Sequence, residues 1–142
     1  MSPLFAFLLL LPVSPETLTA HLIPTYDFTS TSSVRAYIES QATTTPIRAL
    51  YIAENESHFK SDARGDLHIT CKNKNSPQYG KPVTSRGVFQ VSRCWFPEIT
   101  DEQADDVVFI TEWALPRIAD RETCKMLWTT CREYFRGSYV IE

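Results

Sequence analysis

Apolar residues recur at helical spacing along much of this chain, and only short stretches read as extended. Val34, Tyr37 and Ile38 share one face of a short amphipathic helix that Ser33 precedes. Thr43-Thr44-Thr45-Pro46 ends it and opens the next. Thr45 is the predicted cap there, and Pro46 takes the first helical position, where its missing N–H costs nothing. Ile47, Ala49, Leu50, Tyr51, Ile52 and Ala53 then cover nearly every side, the pattern of a helix buried in a core.

Residues 60 to 86 are polar, hold Gly65 and Gly80, and read as loop or small hairpin, with Ile69 and Thr70 as a candidate strand. Gly87 to Val91 reads as a short extended or turn segment. Thr100-Asp101-Glu102-Gln103 has the form of a capping box. A helix from about Asp106 to Ala119 is expected after it, with Val107, Ile110, Ala114 and Ile118 on one face. Pro116 is expected to kink or shorten that helix. Thr123 is the predicted cap of a last short helix through Met126, Leu127 and Trp128.

The 142 residues suffice for one domain with a real core. A net charge of −3, with no basic block and no basic stripe with interleaved aromatics, argues against a nucleic-acid partner. The apolar run from Pro3 to Val13 is too short to span a bilayer and has the length of a secretory core, with Leu18-Thr19-Ala20 as a cleavage site. No Lys or Arg lies before Arg35, so the terminal amine is the whole positive region. The expectation is a signal peptide over residues 1–20, an arm and short helix over 21–45, and the main domain over 46–142. Export to a periplasmic, cell-wall or extracellular site follows, with no stable membrane span after processing. An N-terminal helix packed on the domain and a retained anchor stay open as alternatives.

Four cysteines, Cys71, Cys94, Cys124 and Cys131, in an exported chain suggest two disulfides. Three connectivities exist; Cys71–Cys94 with Cys124–Cys131 is preferred because each pair closes one local segment. Zinc competes poorly, since there is no CxxC pair and His21, His58 and His68 lack ligand spacing. Neither a metal nor an organic cofactor is expected.

The candidate chemistry lies in Ile52-Ala53-Glu54-Asn55-Glu56-Ser57-His58-Phe59 and, about thirty residues on, Gly87-Val88-Phe89-Gln90-Val91. A carboxyl group held in an apolar wall has its charged form disfavoured and can act as a general acid near neutral pH. Glu56 continues the row of Ala49, Ile52 and Ala53, whereas Glu54 continues the row of Ile47, Leu50 and Tyr51. Periodicity therefore does not choose between the two acids. Glu56 lies nearer the helix C-terminus, where the macrodipole disfavours an anion.

These segments, with Asp62-Ala63 in the turn between them, resemble the catalytic module of bacterial lytic transglycosylases, in the lysozyme-like superfamily. Trp113-Ala114 and Trp128-Thr129-Thr130-Cys131 are similar to its compact, cysteine-containing variants. The resemblance covers roughly residues 46 to 132. It implies an α+β, mainly α, lysozyme-like two-lobed domain with a small β/loop lobe beside the cleft. The family's catalytic glutamate falls on Glu56, and Glu54 falls on a variable position. The sequence departs from the family at Arg86, Val88 and Phe89, and in a long polar insertion from about His68 to Ser85.

The implied activity is cleavage of the β-1,4 bond between N-acetylmuramic acid and N-acetylglucosamine in peptidoglycan glycan strands. A single Glu serves as acid and then base, and 1,6-anhydromuropeptides result. Ser57 is expected to hold the acid or a substrate group, or else to bond its own backbone. Gln90 is expected to bond an N-acetyl or hydroxyl group, and Gly87 to let backbone approach sugar or simply to make the turn. Trp95 is the candidate for a cleft edge, Tyr134 a subsite aromatic or a core residue, and Trp113 and Trp128 are expected in the core. Asp66 is the possible second acid, which would favour a hydrolytic lysozyme. A catalytically silent glycan-binding module and an unrelated disulfide-stapled secreted protein are the competing classes.

Overall fold

The computed structural model describes residues 25–137. The expected signal peptide and the first residues of the arm lie outside them. About half of the described chain is helix, and the rest includes one small antiparallel sheet, an α+β architecture that is mainly α. The helices are α1 (Thr31–Gln41), α2 (Pro46–Ser57), α3 (Asp101–Asp105), α4 (Val107–Ala119), α5 (Arg121–Leu127) and α6 (Thr129–Arg136). Between α2 and α3 lie β1 (Arg64–Gly65), β2 (Ser85–Arg86) and β3 (Val91–Ser92), in that spatial order. Arg64 pairs with Arg86 and Gly65 with Ser85; Ser85 also pairs with Ser92 and Arg86 with Val91. The segment at Ile69 and Thr70 makes only an isolated bridge, Thr70 to Pro82.

Helix α2 organises the core. Ala49, Ile52 and Ala53 are fully buried, while Ile47 is 61% exposed. One side of α2 therefore faces solvent, which corrects the expectation of a helix buried all round. Pro46 does occupy the first turn, but Thr45 makes no side-chain cap bond. Arg48 is unexpectedly inside: its Nη1 donates to the carbonyls of Ile118 at 2.9 Å and Ala119 at 3.3 Å. A cation there satisfies carbonyls that the end of α4 leaves open and complements its dipole. The guanidinium also lies 4.6 Å from the Phe135 ring centroid, so α2, α4 and α6 meet on one side chain.

Three boundaries differ from the expected ones. Helix α1 begins at Thr31, before Ser33. The capping box belongs to the five-residue α3, where Thr100 and Gln103 bond each other reciprocally; Asp106 then caps α4 by accepting from Val108 and Phe109 N–H. Asp120, not Thr123, caps α5, with Thr123 N–H as the donor. An aspartate before the first turn both accepts those N–H groups and faces the positive helix end, so it outcompetes a threonine inside it. Pro116 does not shorten α4, which continues to Ala119.

The disulfides are Cys71–Cys94 and Cys124–Cys131, as preferred from their spacing. Cys124–Cys131 joins α5 to α6 within the main core. Cys71–Cys94 forms a second small cluster with Val83, under the loop between β1 and β2. Closing 23 residues stabilises by roughly 3 kcal/mol in the chain-entropy account. Two disulfides fit an oxidising, exported setting. Among the described residues no helix is long and apolar enough to cross a membrane.

Candidate active site

A cleft of about 530 Å³ runs between the helices and the sheet. Glu56 from α2, Asp66 after β1, Gln90 before β3 and Trp95 all line it, so four of the sequence-derived candidates converge. Glu56 is half-buried while Glu54 is exposed, because the inner row of α2 ends on Glu56. Tertiary packing thus makes the choice that periodicity left open.

The helix end fixes how Glu56 is presented. His58 and Phe59, at φ 52° and 60°, both take the left-handed conformation, and the His58 N–H bonds back to Glu54. Neither is Gly, so the tight reversal carries backbone strain of about 1–3 kcal/mol per residue. Burial of Phe59 helps to hold it. Asp66 and Gln90 share this conformation, at φ 58° and 50°. Strained non-Gly backbone thus recurs at the wall that faces the acid.

Glu56 Oε1 accepts a 2.7 Å hydrogen bond from Thr130 Oγ1 in the first turn of α6. Burial raises the Glu56 pKa above the ordinary glutamate value. The Thr130 bond opposes this by favouring the carboxylate, and the negative charges of Asp66 and Glu133 push it up again. The net shift is upward, toward a carboxyl that keeps its proton at higher pH than a surface glutamate would. Opposite, Asp66 accepts from Ser85 Oγ, which ties its carboxylate to β2. Gln90 Nε2 donates to the Gly87 carbonyl at 2.9 Å, folding the side chain over its own turn. Gly65 leaves room for it: a Cβ there would collide with Gln90 Oε1.

Aromatic rings form the remaining wall. Phe96, Trp113 and Trp128 all line the cleft and meet edge-on, at centroid distances of 5.0 and 6.2 Å. Trp128 is buried, and its indole N–H donates to the Phe89 carbonyl at 2.8 Å. Trp128 is thus a core residue, the half-buried Trp113 packs against that core, and both also line the site. Trp95 is 62% exposed and stands at the rim.

Three expected site residues lie elsewhere. Ser57 is buried and donates to the Ala53 carbonyl at 3.0 Å, the ordinary back-bond of a hydroxyl near a helix end. Tyr134 is 1% exposed and packs against Tyr51, because it projects from the face of α6 that meets α2. Gly87, at φ 74°, makes the turn between β2 and β3 and packs on α3, where a Cβ would collide with the Ala104 carbonyl oxygen. Its absent side chain serves the fold.

Thr130 lies in the Trp128–Cys131 segment of the resemblance, but nothing in the sequence marks its hydroxyl as a partner of Glu56. It is 74 residues from Glu56, and a threonine near a helix start reads as a cap or a surface residue. Ser85, Ile69 and Val83 also line the cleft, from the long polar insertion whose path the sequence left open. No group of three or more His, Cys, Asp or Glu among the described residues has the arrangement of a metal site. No family model, curated protein or solved structure matches the chain.

Proposed function

We propose that this chain is a peptidoglycan lytic transglycosylase with Glu56 as its one catalytic acid and base. One arrangement carries the proposal: a half-buried carboxyl of raised pKa, held by Thr130, at the floor of an open cleft with a polar wall and an aromatic wall. A lysozyme-like two-lobed domain would have its cleft where helices meet a small sheet region. Glu56 would protonate the bridging oxygen between N-acetylmuramic acid and N-acetylglucosamine. The neighbouring N-acetyl group would stabilise the positive charge at the anomeric carbon. The Glu56 carboxylate would then take the proton of the muramyl 6-hydroxyl as that oxygen closes the anhydro ring. Acid, base and leaving group balance without an added water. Phe96, Trp113 and Trp95 offer apolar faces to sugar rings, and Gln90 an amide to their polar substituents.

One observation favours a second reading. Asp66 shares the cleft with Glu56, and paired carboxyls across a glycosidic bond serve hydrolysis. Asp66 would then position a water, and the product would carry a reducing end. A glycan-binding module without turnover is the third possibility, and the intact acid argues against it.

The test is digestion of purified peptidoglycan followed by mass analysis of the fragments. Anhydromuropeptides that disappear with Glu56→Gln support the proposal. Reducing ends replace it with the hydrolase, and an unchanged wall with retained binding replaces it with the binding module.

A further inference from the structure

The loop region beside the cleft is cationic in an otherwise acidic chain. From Leu67 to Pro97 there are five Lys and Arg and no Asp or Glu, although the chain as a whole has 17 acids against 14 bases. Arg86 and Arg93 are paired with Asp101 and Asp105 of α3. Lys72, Lys74 and Lys81 are exposed, and among the described residues none of them forms an ion pair.

Backbone pairing brings Lys81 alongside the stretch that carries Lys72 and Lys74. Cys71 N–H donates to the Lys81 carbonyl at 2.8 Å, and Gly80 N–H donates to the Cys71 carbonyl at 3.0 Å. The Cys71–Cys94 disulfide clamps that pair to the segment after β3. Leu67 and Tyr79 of the same loop region are also exposed. The loop that carries the three lysines begins and ends at the cleft: Ile69 and Val83, joined by the Val83 N–H bond to the Ile69 carbonyl at 2.7 Å, both line it.

We propose that Lys72, Lys74 and Lys81 form a docking surface for the carboxylate-bearing peptide stems of the glycan strand that occupies the cleft, an inference that rests on the function proposed above. A strand in the cleft presents its side branches to the cleft's flanks, and this flank is positive. Exposed lysines contribute little individually and are screened by salt, so the effect is one of capture and orientation, strongest at low ionic strength.

The experiment measures pelleting of the Glu56→Gln protein with intact sacculi and with sacculi stripped of their stems by an amidase. Glu56→Gln serves only to stop turnover. Combining Lys72→Gln, Lys74→Gln and Lys81→Gln is expected to weaken binding to intact sacculi about tenfold at low salt, in the range for three exposed charges. The loss should vanish at high salt and on stripped strands, and the three Lys→Arg changes should keep full binding. The inference is overturned if the Gln triple variant binds intact sacculi like its parent. It is also overturned if stripping leaves the parent's binding unchanged, or if only binding to phosphatidylglycerol vesicles is lost. Failure of the enzymatic proposal reads differently: wild type would release no muropeptides while the lysine-dependent binding persisted.

Discussion

Thr130 Oγ1 donates to Glu56 Oε1 at 2.7 Å, joining the first turn of α6 to the last turn of α2. The bond engages one carboxyl oxygen and leaves Oε2 for the transferable proton. It also favours the carboxylate, against the burial that favours the acid.

Thr130→Val removes that donor with little change of shape. The Glu56 pKa should rise further, because burial and the charges of Asp66 and Glu133 then act unopposed. Carboxyl titration by NMR in the free protein reads this without any substrate. Thr130→Ser keeps the hydroxyl and should titrate like wild type. If Val and Ser titrate alike, Thr130 does not hold the acid.

Glu56→Gln should lower turnover by at least the roughly 10²- to 10⁴-fold typical of proton transfer. It should also stabilise the fold at neutral pH. A carboxyl whose folded pKa lies above its unfolded value contributes stability below the unfolded value, and this is lost as pH rises through the folded pKa. The amide variant has no such loss and can still accept from Thr130. Thermal midpoints of the two proteins should diverge as pH rises from the acid side to neutrality. Midpoints that run parallel over that range would show that folding does not raise the pKa of this carboxyl.

Asp66→Asn removes one of the charges that raise the Glu56 pKa. The alkaline limb of the pH–rate profile should move to lower pH, with turnover retained on the acid side. Complete loss of turnover at every pH would instead give Asp66 a direct catalytic role, as the hydrolytic reading requires.

Two glycines should respond differently to alanine. Gly87→Ala places a Cβ against the Ala104 backbone from a left-handed residue, and should cost about 1–3 kcal/mol or more in urea unfolding. Gly65→Ala meets only the end of the Gln90 side chain, which can swing away. Its unfolding midpoint should stay near wild type while substrate binding weakens. A large stability loss in Gly65→Ala would show that Gln90 cannot move.

Much of the helical framework is legible along the chain because its signals are local. Pro46 starts α2, the Thr100–Gln103 pair starts α3, and cysteines close in sequence are paired. Boundaries are ambiguous where two capping residues compete within one turn, as at Asp120 and Thr123. Tyr134 and Gly87 are illegible for another reason: an aromatic and a glycine have the same local signature whether they face a ligand or a neighbouring helix.

The amino-acid order by itself determined that a row of small and apolar residues on α2 runs into a carboxylate, and that a Gly-to-Gln turn follows after a polar loop. Which of two acids enters the cleft, which hydroxyl holds it, and that Arg48 closes the end of α4 were decided only in three dimensions. Period and capping depend on neighbours three or four residues away. Burial, desolvation and the bond to Thr130 depend on partners some seventy residues distant, whose positions exist only once the helices have packed.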